Sequence, residues 1–497
     1  MTRTSRLLCY MALPALYRSM ALHSYAEMRF VNGRPEGFGG GSPFMMALNG
    51  LVTKAHAALV QEFRVWGEWK EVGVEDFAQG RVPDNTMMLN VLLRAATDRM
   101  TRLQSFAWEL DCKPLKTVYQ GLAAHSTLTS LTLKFPSSRM PRPSVTVPPI
   151  PNLRVFKATD IDPLCYCDDI SLLMLHSTKL EDVRLHFSPR MRQQAEPSVS
   201  FQTYFGRCTR ANRRLTFKHF AMQNFFGANL EGMESVLDTQ TCWRATFIDS
   251  WGGLASNART AFVDLTWRNI PKDFETGFRT VRCNELAPQH VTMIRSATGM
   301  EHCYFINASP EGVVIPHTDP PDAETARLGE EYLDALTRSH GSTLKHLLLS
   351  SHWALSPTQI SDLVRFCPHL EQLGLALAPG SKIPLRLLLP FLPRLKVLRI
   401  LANSWLEREM LETTHEERVQ RIGADLGSPS GGDALRWIAM GDTVYKVGKT
   451  YDIEREDGGK ERRREVRVAS RDQVQHIEIF YLDCLDINAD PVLPFSP

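Results

Sequence analysis

Four stretches carry residue types whose spacing could do chemistry. Gly448-Lys449-Thr450 ends like a phosphate-binding loop, where successive backbone amides and a lysine converge on nucleotide phosphates. That loop needs a glycine at position 443. The chain has Thr443 there, and Gly441 lies two residues too far back, so a β-strand end is the better reading. Cys165 and Cys167, beside Asp168, Asp169 and His176, offer metal-binding atoms. Tetrahedral zinc sites use two ligand pairs with two to four residues between cysteines, whereas a one-residue gap sends two thiols to opposite sides of a strand. They read as structural cysteines. The glycine-rich stretch from Gly33 to Gly41 lacks the G-x-G-x-x-G spacing, set directly between a strand and a helix, that cradles a dinucleotide, and reads as a loop. Lys460, Arg462, Arg463 and Arg464 could meet nucleic acid, but Glu454, Glu456, Asp457, Glu461 and Glu465 are interleaved with them, as on a solvated hairpin. Neither H-E-x-x-H nor G-x-S-x-G occurs. With 15 histidines and 55 carboxylates, a Ser/His/Asp triple can always be picked out and identifies nothing. The expectation is a protein with no catalytic residues, no cofactor and no metal.

The charge balance points the same way. Fifty-seven basic and 55 acidic residues leave a net charge of +2, too small to attract nucleic acid or an anionic membrane as a whole. Ten cysteines are scattered without paired spacing, several within apolar segments, as expected of free thiols in a reducing compartment. No apolar run reaches 18 residues, and the signal-like LLCYMALPALY is interrupted by Pro14 and Arg18. Together these place the chain inside the cell, in the cytoplasm, the nucleus or both, with no membrane partner.

The elements are set out by a recurring leucine phrase. Leu370, Leu373 and Leu375 fit L-x-x-L-x-L and are answered 25 residues later by Leu395, Leu398 and Ile400, with Asn403 closing the second copy. Leu344, Leu347 and Leu349 precede them by 26 residues, and phrases begin at Leu103, Leu128, Leu153 and Leu180, at intervals of 25, 25 and 27. The three apolar positions point inward from a short strand, and a helix or turn carries the chain back to the next one. Each unit buries its apolar face only against its neighbours, so none folds alone. The predicted fold is α/β, a leucine-rich-repeat solenoid: a curved parallel sheet with helices on its convex side. The array covers 43–403, with an irregular middle at 191–330 where Phe217, Phe220 and Met222, Thr246 and Ile248, Val263 and Leu265, and Met300, Cys303 and Phe305 are candidate strands. An inserted domain is the alternative there. Helix caps are expected at Asp168 or Asp169, at Asp322 and at Ser356-Pro357. Residues 404–432 read as one charged helix and a linker, and 433–497 as a capping repeat with a hairpin built from VYKVG and EVRVA around Asp457-Gly458-Gly459. Before the array, residues 5–18 read as a short apolar helix breaking at Pro14, followed by the strand-like SMALHSY.

MALPALYRSMAL, the repeats of about 25 residues, ISLLMLHSTKLEDVRLHFSPRMR and LRWIAMGD together resemble fungal F-box and leucine-rich-repeat proteins. The F-box is represented by its last helix, Leu7 to Tyr17, within a remnant at 1–24; its opening L-P-x-E segment is absent. The resemblance implies a substrate receptor of a cullin-RING ubiquitin ligase. Leu13, Pro14, Leu16 and Tyr17 would meet a Skp-type adaptor, and the repeats would hold a target protein, the chain being a monomer within that complex. The alternative is a repeat scaffold with no ligase role. On either reading the partner would meet residues standing between the inward leucines on the concave face: Ser130, Thr132 and Lys134; Asp182, Arg184 and His186; His346 and Ser350; Gln372; and Arg399. Charge reversal at Asp182, Arg184 and Arg399 is then expected to abolish partner capture without lowering the melting temperature.

Overall fold

The structure is a computed structural model. It describes the chain apart from residues 1–5, 37–41, 70–74, 80, 137–144, 163–164, 166–167, 191–201, 226–235, 251–274, 285, 287, 310–322, 380–384, 428–431, 455–459 and 493–497. The chain forms two compact units: Met1–Asp238 with Thr260–Thr266 and Val492–Pro497, and Thr239–Arg259 with Trp267–Pro491.

In the first unit, helix α1 (Arg6–Tyr17) leads into strand β1 (Ser19–Ser24) and the small antiparallel pair β2 (Arg29–Val31) and β3 (Arg34–Glu36). Helix α2 (Pro43–Thr53) follows, and then β4 (Glu62–Gly67), β5 (Ser105–Leu110), β6 (Ser130–Lys134), β7 (Val155–Ile161), β8 (Asp182–Phe187) and β9 (His219–Gln223). β1 pairs with β4, and β4 to β9 pair in sequence order, every pairing parallel. The register is the one the leucine phrase demands: Phe106, Leu131, Phe156 and Val183 are cross-strand neighbours and each is 0% exposed.

The second unit repeats the scheme with β10 (Arg244–Ile248), β11 (Thr280–Cys283), β12 (His302–Phe305), β13 (His346–Leu348), β14 (Ala354–Leu355), β15 (Gln372–Leu377), β16 (Val397–Ile400) and β17 (Trp437–Met440). These strands are parallel, with β13 and β14 both beside β15. Cys303, Leu347, Leu373, Leu398 and Ile438 form the matching buried row. The hairpin β18 (Thr443–Glu454) and β19 (Lys460–Ala469) then covers the edge of β17 in antiparallel register. Gly448, Lys449 and Thr450 lie inside β18, at its register irregularity, and Arg464 turns inward to backbone carbonyls of Gly432, Leu435 and Gly448.

Each unit thus has the expected mixed α/β architecture with a largely parallel sheet, and several details differ from the sequence reading. α1 does not break at Pro14: the helix runs on to Tyr17, because the amide missing at proline costs one bond at an exposed position. Asp168 and Asp169 do not cap the helix Ser171–His176. Asp169 is buried in an ion pair with Lys113, while Asp168 accepts from Ser171 Oγ and pairs with Arg207 at 2.5 Å. The single charged helix expected after Asn403 is two, Ser404–Glu412 and His415–Leu426, because Thr414 and Glu417 close a capping box that starts a new helix. Ser356 does cap its helix, in a box with Gln359. In the irregular middle, strands form around Phe220, Thr246 and Cys303, and an unforeseen one forms at Thr280–Cys283. Val263 and Leu265, Asp322, Cys167, Gly37–Gly41 and the turn Asp457–Gly459 lie outside the described residues.

Candidate functional site

Alternation along a strand sends the residues between the inward apolar positions to the opposite face. In the first unit this face carries three cross-strand rows. Ser105 and Ser130 follow Glu62 in one, Ala107, Thr132 and Lys157 follow Arg64 in the next, and His23, Trp66 and Glu109 lead the third. From β1 to β6 these side chains are half-buried or exposed. His23 lies flat on Trp66, with ring centroids 3.7 Å apart and 1° between planes. Arg64 stands 5.0 Å from the Trp66 ring centroid and pairs with Glu109, so the indole is held between an imidazole and a guanidinium. Lys134 reaches Asp111 at 2.5 Å. A half-buried indole beside the small residues Ala21 and Ala107 is the kind of anchor on which protein partners seat an apolar side chain.

The face changes character at β8. Asp182 and Arg184, two residues apart on the same side of the strand, are both 0% exposed in their side chains. Arg184 donates from Nε and Nη2 to the two carboxylate oxygens at 2.9 and 2.8 Å, and His219 Nδ1 lies 3.1 Å from Asp182 Oδ1. Burial pushes the Asp182 carboxyl up, but Arg184 and His219 together outweigh it and hold the group well below the usual carboxylate range. Of the residues expected to meet a partner, Ser130, Thr132 and Lys134 are therefore half-buried on β6 and reach solvent, while Asp182 and Arg184 sit on the expected face without reaching it. The expectation that reversing their charge leaves stability untouched is corrected accordingly. His186 is half-buried, 3.7 Å from Asp160 and 3.4 Å from Asn224.

In the second unit the corresponding face is occupied by the chain itself. Residues 470–491 cross it from β17 back to β10, strand after strand. Gln372 Nε2 donates to Glu478 at 2.6 Å and its carbonyl accepts from the Ile479 amide. Arg399 donates to Ile479 O at 2.7 Å and pairs with Asp483 at 2.7 Å. His346 is bonded to the Tyr304 hydroxyl at 2.7 Å, and Ser350 is buried just beyond β13. Burial, followed by the neighbouring His302, pushes the His346 imidazole down to about 4. Of the predicted residues of this unit, Gln372 and Arg399 are thus brought onto one face and bonded to a covering segment, with His346 the cross-strand neighbour of Gln372 and Ser350 buried outside the strands. On α1, Pro14 and Leu16 are exposed, Leu13 is half-buried, and the Tyr17 ring lies 4.8 Å from that of His56.

The sequence reading passed over Trp66, His23, Arg64 and Glu109, although alternation from the apolar Phe63 and Val65 puts Arg64 and Trp66 on the other side of β4. It also passed over Arg282 and the whole covering segment. Among the described residues no group of three His, Cys, Asp or Glu side chains is placed to hold a metal ion, and no helix is long and apolar enough to cross a membrane. Comparison with protein-family models and with curated proteins gives no match to this chain.

Proposed function

We propose that the chain is a non-catalytic protein-binding receptor built as a leucine-rich-repeat solenoid, and that its binding surface is the open face of β1 to β6. The observation that carries this reading is the His23–Trp66 stack, half-buried beside Arg64, Ala21 and Ala107. The repeat reading is supported by asparagines that follow strands and bond to the backbone of the neighbouring turn. Asn403 donates to Leu377 O at 2.8 Å, Asn307 donates to Leu349 O at 3.1 Å, and Asn284 exchanges bonds with the Asp249 backbone.

The receptor resembles the substrate-recognition subunit of a cullin-RING ligase of F-box type. Such a subunit performs no covalent step; it raises the effective concentration of a target lysine near the ligase. Support for an adaptor contact comes from α1, where Leu7, Leu8, Tyr10, Met11 and Leu16 are between 44% and 72% exposed. Leu13, Pro14, Leu16 and Tyr17 form the proposed Skp-type adaptor contact. Buried free thiols, among them Cys112, Cys283, Cys303 and Cys367, support an intracellular setting.

The test is affinity capture with quantitative mass spectrometry on the full chain, comparing wild type, Trp66→Ala and Leu16→Asp. Losing a central aromatic anchor costs about 2 kcal/mol or more, roughly a 30-fold loss of affinity. Trp66→Ala is expected to lose its protein partner and keep the adaptor, and Leu16→Asp the reverse. Unchanged capture by Trp66→Ala overturns the face assignment. Failure of the wild type to retain the adaptor leaves the scaffold reading.

A further inference from the structure

The segment 470–491 lies on a surface composed like a recognition face. The sheet side is mixed: Leu348, Val397, Leu401 and Ala439 share an apolar cluster with the segment, and among them stand Thr246, Arg282, Tyr304, His346, Gln372 and Arg399. These groups read the segment's main chain. Arg282, 0% exposed in its side chain, donates to the carbonyls of Leu482, Cys484 and Asp486 at 2.8, 2.6 and 3.0 Å. Arg399 takes the carbonyl of Ile479 and Arg244 that of Pro491. Each carboxylate of the segment that touches the sheet has its own receiver. Glu478 accepts from Gln372; Asp483 pairs with Arg399 and accepts from the Asn307 amide; Asp490 accepts from Thr246 at 2.7 Å and pairs with Arg282 at 3.3 Å. Val474, Ile477, Ile479, Leu482 and Ile487 are buried apolar residues of the segment, and Phe480 lies under Arg399. Arginines that bind backbone carbonyls, aromatics, and a polar receiver for every carboxylate make up the anatomy of an interface.

We infer that residues 474–491 are an intramolecular ligand, and that the face of β10 to β16 is a groove for a protein segment of the same chemistry: apolar residues with carboxylates spaced like Glu478, Asp483 and Asp490. A partner segment with that pattern enters when the resident one leaves. The inference is independent of the reading of β1 to β6.

The experiment opens the connection rather than deleting the segment. A protease-cleavage sequence is placed at Arg471–Gln473, all exposed, in the full chain. A fluorescent synthetic peptide of residues 474–492 is then added before and after cleavage. The expected result is that the cleaved protein, still folded by circular dichroism, binds the peptide one to one, while the intact protein does not. A peptide with Glu478→Gln, Asp483→Asn and Asp490→Asn should bind at least tenfold more weakly. If cleavage unfolds the second unit, or if excess peptide never exchanges with the resident segment, the segment is integral core and the inference is overturned. Native-state hydrogen exchange on the uncut protein gives a second reading. The amides of Ile477–Ile487 should exchange through an opening that leaves β15 and β16 protected, and equal protection overturns the proposal.

Discussion

Removing the Asp182 carboxylate should damage stability far more than any partner contact. The Asp182→Ala substitution leaves the Arg184 guanidinium and His219 in a site with no side-chain exposure, after the loss of two charge-assisted bonds of 2.9 and 2.8 Å. Breaking a buried ion pair from one side costs about 3 to 5 kcal/mol, because the remaining buried charge loses its counter-ion. A domain is stable by about 5 to 15 kcal/mol in total, so this is about a fifth or more of the margin. With a urea slope of about 2 kcal/mol per molar, the midpoint of the first unit should fall by roughly 2 M. Arg184→Met should be comparably harmful. The double variant Asp182→Val/Arg184→Met removes both charges, and it should recover at least part of the loss, since apolar replacement of a whole buried pair is often neutral. Urea unfolding followed by circular dichroism measures all three. If Asp182→Ala loses less than about 1 kcal/mol, or the double variant is as poor as the sum of the singles, the pair is not the internal element described.

Three further outcomes follow from the same chemistry. His346 titrates at about 4 in the folded protein against an unperturbed value of about 6.5, so the unfolded chain takes up its proton first; stability is full above about pH 6.5 and declines toward pH 4 by up to about 3 kcal/mol. His346→Gln should flatten that decline in a pH series of thermal melts, and an unchanged slope refutes the assignment. Arg282→Met withdraws the donors from three inward carbonyls and should cost the second unit about 2 to 4 kcal/mol in urea unfolding, whereas a loss under about 0.5 kcal/mol contradicts the contacts described. Burial pushes the Cys367 thiol up to about 12 and raises that of Cys303 as well. Maleimide at pH 7.5 followed by peptide mapping should therefore label Cys165, which is exposed, and spare both until denaturant is added.

The inward residues were legible in the sequence because the core is a matter of pattern: leucines at a fixed interval can only be spent against neighbours at the same interval. Thus Leu370, Leu373 and Leu375 predicted the buried row beside Leu395, Leu398 and Ile400, and Ser356 predicted its capping box. The state of the opposite face was not legible, because it depends on what lies over it. Thr132 and Arg184 occupy equivalent strand positions, yet one is half-buried and the other fully enclosed. Gln372 and Arg399 are covered by residues 80 to 107 positions away, a separation that no local spacing encodes. Asp169 was mistaken for a cap because an aspartate before a helix usually is one; its partner Lys113 lies 56 residues earlier.

The crossing segment also alters how the second unit holds together. A ladder in which each strand touches only the strands before and after it behaves as a one-dimensional chain, free to fray from an end by small, independent losses. Residues 470–491 bond to β10, β11, β15 and β16 at once, joining positions as far as 247 residues apart. While the segment is docked, fraying of β10 must break bonds to Asp490 and Pro491 as well as to its strand neighbour, so loss of strands from that end is suppressed until the segment leaves. The closure of so long a loop is also slow relative to contacts 25 residues apart. Nearest-neighbour strand pairing should therefore precede docking of the segment during folding, with full cooperativity arriving only at that last step.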